Sequence, residues 1–507
     1  MPTKAQPTSS IDLYLPARRD LDVLIGELEA TGMASHTVIE TTIRERGADV
    51  LRKVYQGWLD ARFVEERAKL ALAPRVAGVE VRARRRSLEA EFGRLTVRRH
   101  GHKKPGKRAK FPMDEALNLP RELYSLSLRR RVVEEARAGS WDQSVERVDT
   151  TTAGHVPKRQ AEGLAIRAAT DFEMFYAERS VPANDTLSSH ALLVMSSDSK
   201  GITMLPEALR EATRKEAEAA KADHVRGDPM AQRKLRKHDK RMAIVTATWL
   251  QEPHKRSAKD IVAGLRPQRV KPAPKKKAKP TRGPRPQHKR VSASVEKSQA
   301  QGIAEMFAEA ERRDPEHART TVALVDGEER QIELIEQQAT ERKRSVTVVV
   351  DIIHVLHYVW VAGFALCRKN EHKTDAWVRR ILFRLLTCHP LDVVAGIRQA
   401  ATLRGLTPEE RAPLDKCCEY LCKNSIYIDY RHFLARGFPI ATGLIEGACR
   451  HLIQDRLGIT GARWGVAGAE AILKLRALRS SGDWDAYWNF HESRERLRNH
   501  GTQPVAA

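Results

Sequence analysis

The sequence predicts an α/β fold preceded by a mainly helical N-terminal region. Three observations carry that expectation. Three apolar runs of strand length, HALLVMSSD, TTVALVD and SVTVVVD, each stop at an acid. Segments between and beyond them repeat apolar residues at helical spacing, as in SVEKSQAQGIAEMFAEAERRDPEH. Upstream of residue 186 the pattern is helical almost throughout, with one β-like patch.

The 507 residues leave room for several domains, and an apolar fraction of 41% supports a sizeable core. Lys and Arg total 89 against 65 Asp and Glu, a net charge of +24 spread along the chain. That excess points to a polyanion, first of all nucleic acid, because neutralised phosphates release counterions. Six cysteines form no CxxC pair, which fits a reducing compartment. Cys418, Cys422 and His432 make a weak zinc pattern, and buried thiols on an amphipathic helix are the favoured reading. MPTKAQPTSS lacks an apolar signal core and no run approaches a membrane span, so a cytoplasmic protein without a membrane partner is expected.

Residues 1–100 form the first region. Helical spacing runs through VIETTIRERGADVLRKVYQGWLDARFVEERAKLAL, and a β-like patch, LEAEFGRLTVRRHG, ends in a basic cluster. Residues 101–185 read as three helical pieces that resemble a helix-turn-helix. Ser140 is a plausible N-cap, Gly139 and Gly154 are breaks, and Pro157 sits near a first helical position. The last piece opens with Lys158, Arg159 and Gln160, placed as a recognition helix presents its first turn to base edges. A plain helical hairpin with a solvated basic end is the alternative.

Residues 186–264 hold two strand candidates around a charged helix. Residues 265–298 form a basic, proline-rich linker: LRPQRVKPAPKKKAKPTRGPRPQHKR has no acid and no means of building a core, so disorder is expected. Residues 299–370 return to α/β pattern, residues 371–436 are mainly helical, and residues 437–480 contain GFPIATGLIEGACRHLIQDRLGITGARWG and a further helix. Residues 481–507 read as a polar tail in which Trp484, Tyr487 and Trp488 pack a last helix.

Acids at strand ends and on a neighbouring helix can converge on one point. Asp198 and Asp326 each end an apolar run, and Glu446 stands near the start of a helix beginning around Thr442. Such carboxylates are hard oxygen ligands that suit Mg²⁺. Two metals so held stabilise the attacking and leaving oxygens of a phosphoryl displacement.

Several blocks, VPKRQAEGLAIRAATDFEMFY, RMAIVTATWLQEPHKRSAKDIVAGL, AERRDPEHARTTVALVDG, DIIHVLHYVW and the FPIATGLIEG…GARWG block, resemble bacterial insertion-sequence transposases of the ISKra type, related to the Mutator superfamily of DDE transposases. The resemblance spans roughly residues 40–490. It implies a ribonuclease H-like catalytic core with a helical insertion before the catalytic Glu. It also implies two Mg²⁺ ions (Mn²⁺ able to substitute) and terminal inverted repeats and target DNA as double-stranded partners. A homodimer or higher oligomer on DNA follows, in a bacterial cytoplasm close to the nucleoid.

By position, Asp198 in SSDSKG resembles the first catalytic and metal-binding Asp, although Ser199 replaces the usual Gly. Glu446 in TGLIEG resembles the catalytic Glu. For the second Asp two readings stay open. Asp326-Gly327 matches the family's strand-Asp-Gly, with Asp351 and His354 as the accessory motif 25 residues on. Alternatively VALV-DG-EERQIELI is a β-hairpin, and TVVVD, ending at Asp351, is the fourth core strand. The helical spacing of Ile332, Ile335 and Ala339 favours Asp326. Arg450, Arg463 and Trp464 are DNA-binding candidates, Trp464 by stacking on a base, with a structural Trp as the alternative. His354 and His357 read more naturally as hydrogen-bonding core residues than as ligands. A catalytically inactive DNA-binding derivative and a ribonuclease H-like host nuclease are the rival functions.

Overall fold

The computed structural model describes residues 13–74, 76–179, 187–225, 239–264, 283–368 and 370–501. It divides into two compact units, residues 1–178 with 484–507, and residues 179–483. No helix among the described residues is long and apolar enough to cross a membrane.

The first unit begins with helices Leu15–Ala30 and His36–Leu72. An antiparallel ribbon follows, β1 (Glu80–Ala90) and β2 (Gly93–Lys103). Along β2 buried and exposed residues alternate from Gly93 to Arg98, the period of a strand with one covered face. Leu95 and Val97 meet Leu59 of the long helix, Leu88 and Met113 in one core cluster.

Helices Leu126–Ala136, Trp141–Thr151 and Lys158–Ala168 share a second core of Leu128, Val132, Val148, Val156 and Leu164. Ser140 is the N-cap the sequence suggested: its hydroxyl takes the Gln143 amide and the Gln143 side chain takes the Ser140 amide. Gly154 is forced by close approach, since a Cβ there would stand 2.4 Å from the Ala90 carbonyl oxygen.

The C-terminal segment requires a correction. Residues 484–500 are not a tail but a helix, Trp484–His500, and it belongs to the first unit. Its buried face is Trp484, Tyr487, Trp488 and His491. Tyr487 donates to the Ala168 carbonyl and meets Phe175 edge-on, and His491 lies 2.7 Å from Asp171. The packing role of Trp484, Tyr487 and Trp488 is the expected one; what the polar composition hid is that residues 484–500 form one continuous helix of the first unit.

The second unit is built on a five-stranded mixed sheet in the order β5-β4-β3-β6-β7. The strands are β3 (Leu192–Thr203), β4 (Lys240–Gln251), β5 (Gln287–Ser294), β6 (Thr321–Val325) and β7 (Val346–Val350). The β3–β4 and β4–β5 pairs are antiparallel, and the β3–β6 and β6–β7 pairs are parallel. Residues 265–282 of the expected linker lie outside the described residues. Residues 287–294, also assigned to that linker, form edge strand β5. QHKRVSAS carries little apolar alternation, and tertiary partners hold it instead. Ser481 accepts from the Val291 amide, and buried Glu470 accepts from the Ser294 hydroxyl and the Val295 amide.

The hairpin reading of Asp326-Gly327 is also replaced. Helix Glu329–Glu341 joins β6 to β7 as a parallel crossover, with Ile332 and Ile335 buried. A parallel pair cannot be closed by a two-residue turn. After β7 come helix Ile352–Leu366 and an all-helical stretch of Glu371–Thr387, Pro390–Leu403, Pro408–Lys423 and Tyr430–Ala435. Helix Gly443–Cys449 then leads through a π-helical turn, Arg450–Gln454, to helix Val466–Ser481 against β5.

Candidate functional site

Strand register places the acids. Ser196 of β3 pairs with Leu324 of β6, and Val325 of β6 pairs with Val350 of β7. Two residues past 196 and 324 stand Asp198 and Asp326. One residue past 325 and 350 stand Asp326 and Asp351. Asp326 and Asp351 therefore sit level just past the carboxyl ends of β6 and β7, and Asp198 sits beside Asp326 within β3, two residues past the last pair of the parallel β3–β6 ladder.

Their surroundings differ. Asp198 is half-buried; its Oδ1 accepts the Ser199 amide at 2.6 Å and its Oδ2 accepts the Cys449 thiol at 3.2 Å. Burial, and then the Asp198 charge, push the Cys449 thiol far above its ordinary range, so it stays a donor. Asp326 is half-buried, and its Oδ1 accepts the Glu328 amide at 3.0 Å. Asp351 is 0% exposed. Its Oδ1 caps helix Ile352–Leu366 through the Ile353 amide at 2.6 Å, and its Oδ2 accepts the Thr442 amide at 2.8 Å and the Thr442 hydroxyl. Both Asp351 oxygens are thus engaged by neutral donors.

Helix Gly443–Cys449 is pinned at both ends to this row of acids. Thr442 holds it to Asp351 and Cys449 holds it to Asp198. Thr442, Glu446 and Cys449 follow at steps of four and three, so they share one helix face. Glu446 consequently faces the strand ends. Its carboxylate is exposed and has no hydrogen-bond or ion-pair partner among the described residues. Ligand atoms of Asp351, His354 and Glu446 lie within 4.8 Å of one another, the one such metal-capable group among the described residues. His354 and His357 are both exposed rather than core residues, because the buried face of their helix is the Ile352, Val355, Leu356, Val359 stripe.

The helical insertion braces the same row. Tyr420 donates to the Asp326 carbonyl at 3.2 Å and stacks on Tyr358 with ring centroids 3.9 Å apart. Tyr430 donates to the Val350 carbonyl at 2.8 Å. Gly327 lies at φ +93°, and a Cβ there would come 2.5 Å from the Tyr420 hydroxyl. Gln331 donates to the Ser197 carbonyl and hydroxyl, tying the crossover helix to β3.

The remaining candidates separate. Arg450 and Arg463 are exposed, Arg450 standing 3.6 Å from Asp455. Trp464 is buried: its indole donates to the Leu457 carbonyl and its backbone bridges to β3, so it is a structural residue and not a base-stacking one. Arg456 lies over its ring at 4.7 Å. In the first unit Lys158, Arg159 and Gln160 are exposed on the first turn of helix Lys158–Ala168, with Lys158 paired to Asp142 at 2.6 Å. Cys417 and Cys418 are buried and Cys422 is half-buried on one helix.

Sequence reasoning missed Thr442, Cys449, Tyr420, Tyr430 and Gln331. The four-and-three spacing about Glu446 was readable; the tyrosines needed the tertiary fold. No protein-family model matches the chain, and no curated protein matches it.

Proposed function

We propose that the chain is a DDE-type DNA transposase with a ribonuclease H-like core. It binds the terminal inverted repeats of an insertion sequence and catalyses DNA cleavage and strand transfer. One observation carries this reading: Asp198 within β3 stands level with Asp326 just past the end of β6, and Glu446 lies on a helix tied to Asp198 and Asp351. The strand order, with three antiparallel strands followed by two parallel ones, supports the ribonuclease H-like assignment. The net charge of +24 supports a DNA partner.

Asp198, Asp326 and Glu446 are the residues to hold two Mg²⁺ ions, with Mn²⁺ as substitute. The donor type suits the ion, being carboxylate oxygens that leave room for several waters, although the acidic group that lies within 4.8 Å pairs Glu446 with Asp351 and His354 rather than with Asp198 and Asp326. When bound, the pair supplies Lewis-acid stabilisation to the attacking and leaving oxygens. The protein's own part is positioning. Ser199 and Cys449 fix the Asp198 carboxylate, Glu328 fixes Asp326, and Thr442 sets where the Glu446 helix starts. In cleavage a water oxygen bonds to phosphorus and the 3′-oxygen leaves. In strand transfer the freed 3′-hydroxyl oxygen bonds to a target phosphorus and the 3′-oxygen of the target strand leaves, taking up a proton. Joining two ends calls for a homodimer or higher oligomer on DNA, in a bacterial cytoplasm close to the nucleoid. Arg450, Arg463 and the Lys158–Gln160 turn are its candidate DNA contacts.

The test is Mg²⁺-dependent nicking of a labelled duplex carrying the inverted repeats that flank the gene. Wild type should nick. Asp198→Asn, Asp326→Asn and Glu446→Gln should bind the duplex and leave it intact. A wild-type protein that binds but never nicks is an inactive DNA-binding derivative. Cleavage without preference for the repeats and without strand transfer marks a host nuclease.

A further inference from the structure

The β1–β2 ribbon carries charge that the catalytic reading does not use. Six consecutive residues of β1, Glu80–Arg85, are exposed, so both faces of the strand meet solvent at this end. Across the ladder Arg84 stands opposite Arg99 and Arg85 opposite Arg98. Like charges placed directly opposite destabilise a strand pair. On β2 the charges are compensated: Arg98 pairs with Asp60 at 3.0 Å, and Arg99 pairs with Asp114 and lies over Phe111. On β1 Arg82 pairs with Glu80. Arg84 and Arg85 have no ion-pair partner among the described residues.

The strand runs on into KKPGKRAK, where the charge density rises further. Gly106 at φ +70° makes the turn, and Lys110 returns to exchange two backbone hydrogen bonds with His102. Lys103, Lys104, Lys107 and Lys110 are exposed and unpaired among the described residues. From Phe92 to Met113 the chain has no acid. Edge strands commonly carry a charge or two against aggregation. Arg84, Arg85 and Lys103 on the ribbon, with Lys104, Lys107 and Lys110 on the turn that continues β2, exceed that need and match a polyanion.

We propose that the β1–β2 ribbon is a second duplex-DNA contact, separate from helix Lys158–Ala168, that grips phosphates without reading sequence. Strands in a ribbon lie about 4.8 Å apart, and a major groove about 12 Å wide admits a two-stranded ribbon. Lysines on a turn act as point charges toward phosphate rather than as a fork for base edges. The choice of DNA as the polyanion rests on the proposed function, but the measurement needs no catalysis.

The experiment uses the full chain and a short duplex of arbitrary sequence, with binding followed by fluorescence anisotropy across a salt series. Arg84→Gln, Arg85→Gln, Lys104→Gln and Lys107→Gln are combined in one variant; all four side chains are exposed. Four lost phosphate contacts make the slope of log K against log salt shallower by about 3 to 4. Affinity at low salt should fall more than tenfold, equally for arbitrary and repeat-containing duplexes. A wild-type slope in the variant overturns the proposal, as does a loss confined to repeat-containing DNA. A second measurement needs no substitution: saturating duplex should protect Lys103, Lys104 and Lys107 of the wild type from acetylation. Undiminished acetylation in the bound protein overturns it too, and so does an RNA duplex that competes better than DNA. Both readouts are of binding alone, so a failure of nicking leaves them readable.

Discussion

Asp351→Asn and Asp326→Asn should behave as opposites. Asp351 is fully buried, and its carboxylate takes three hydrogen bonds, from the Ile353 amide, the Thr442 amide and the Thr442 hydroxyl. An asparagine can keep its oxygen toward Thr442, but its NH₂ group then meets the Ile353 amide, donor against donor. Leaving a buried donor unpaired costs about 1–3 kcal/mol. The second unit should therefore lose about 2 kcal/mol, a few degrees in its melting transition. Nicking should weaken through a displaced helix Gly443–Cys449 rather than vanish. Asp326 is half-exposed and gives one oxygen to the Glu328 amide, which an asparagine oxygen can also accept. Asp326→Asn should thus melt within about 0.5 kcal/mol of wild type and bind duplex normally, yet lose nicking. Differential scanning calorimetry, anisotropy and single-turnover nicking on the same preparations separate the two effects. If Asp351→Asn melts like the wild type but is dead, while Asp326→Asn still nicks, the division into a supporting and a catalytic acid is refuted.

Other expectations follow from the same contacts. Tyr420→Phe removes the donor to the Asp326 carbonyl; nicking should fall about tenfold with DNA affinity unchanged, as small misplacements near the chemistry do, and an unaltered rate would detach the insertion from the site. Gly327→Ala must adopt φ +93° against the Tyr420 hydroxyl and should cost about 2 kcal/mol, read as a lowered melting temperature. Burial works to raise the Glu309 carboxyl, but Arg290, Arg313 and Arg312 outweigh it and hold its pKa down to about 2. Its stabilisation is then fully present above about pH 4.5 and lost as pH falls toward 2, so Glu309→Gln should unfold about 3 kcal/mol more easily at neutral pH and show a flatter acid limb in a melting series. Burial pushes the Cys417 thiol to about 12 and Cys418 to about 11; mass spectrometry after mild alkylation should find both unmodified, along with Cys449, while half-buried Cys367, Cys388 and Cys422 react.

Much of the second unit was legible because short apolar runs that stop at an acid leave few alternatives to strands. The choice between hairpin and helix after Asp326 was decidable from the period of Ile332 and Ile335, which are buried on the crossover helix. Strand β5 was not legible. Its residues are charged and small, and pairing with β4 and a cap from Glu470 override their weak local preference. Trp464 shows the same limit: a Trp between Arg463 and Gly465 reads equally as a base platform or a core residue, and only its hydrogen bond to Leu457 and its bridge to Met204 decide. Around Glu446 the helical steps to Thr442 and Cys449 lay open in the sequence. What Thr442 and Cys449 hold is set by strand register across more than 90 residues.

The placement of helix Trp484–His500 has a consequence for how the protein is made. The first unit opens with the earliest described residues and is closed by the last helix, so the whole second unit is an insertion into it. A nascent chain can therefore finish its site-bearing unit while the first unit still lacks the aromatic face that seals Phe175 and Asp171. Synthesis stopped short of residue 484 would yield an intact row of acids without a completed partner unit. The order of translation thus lets the first unit mature only after the second.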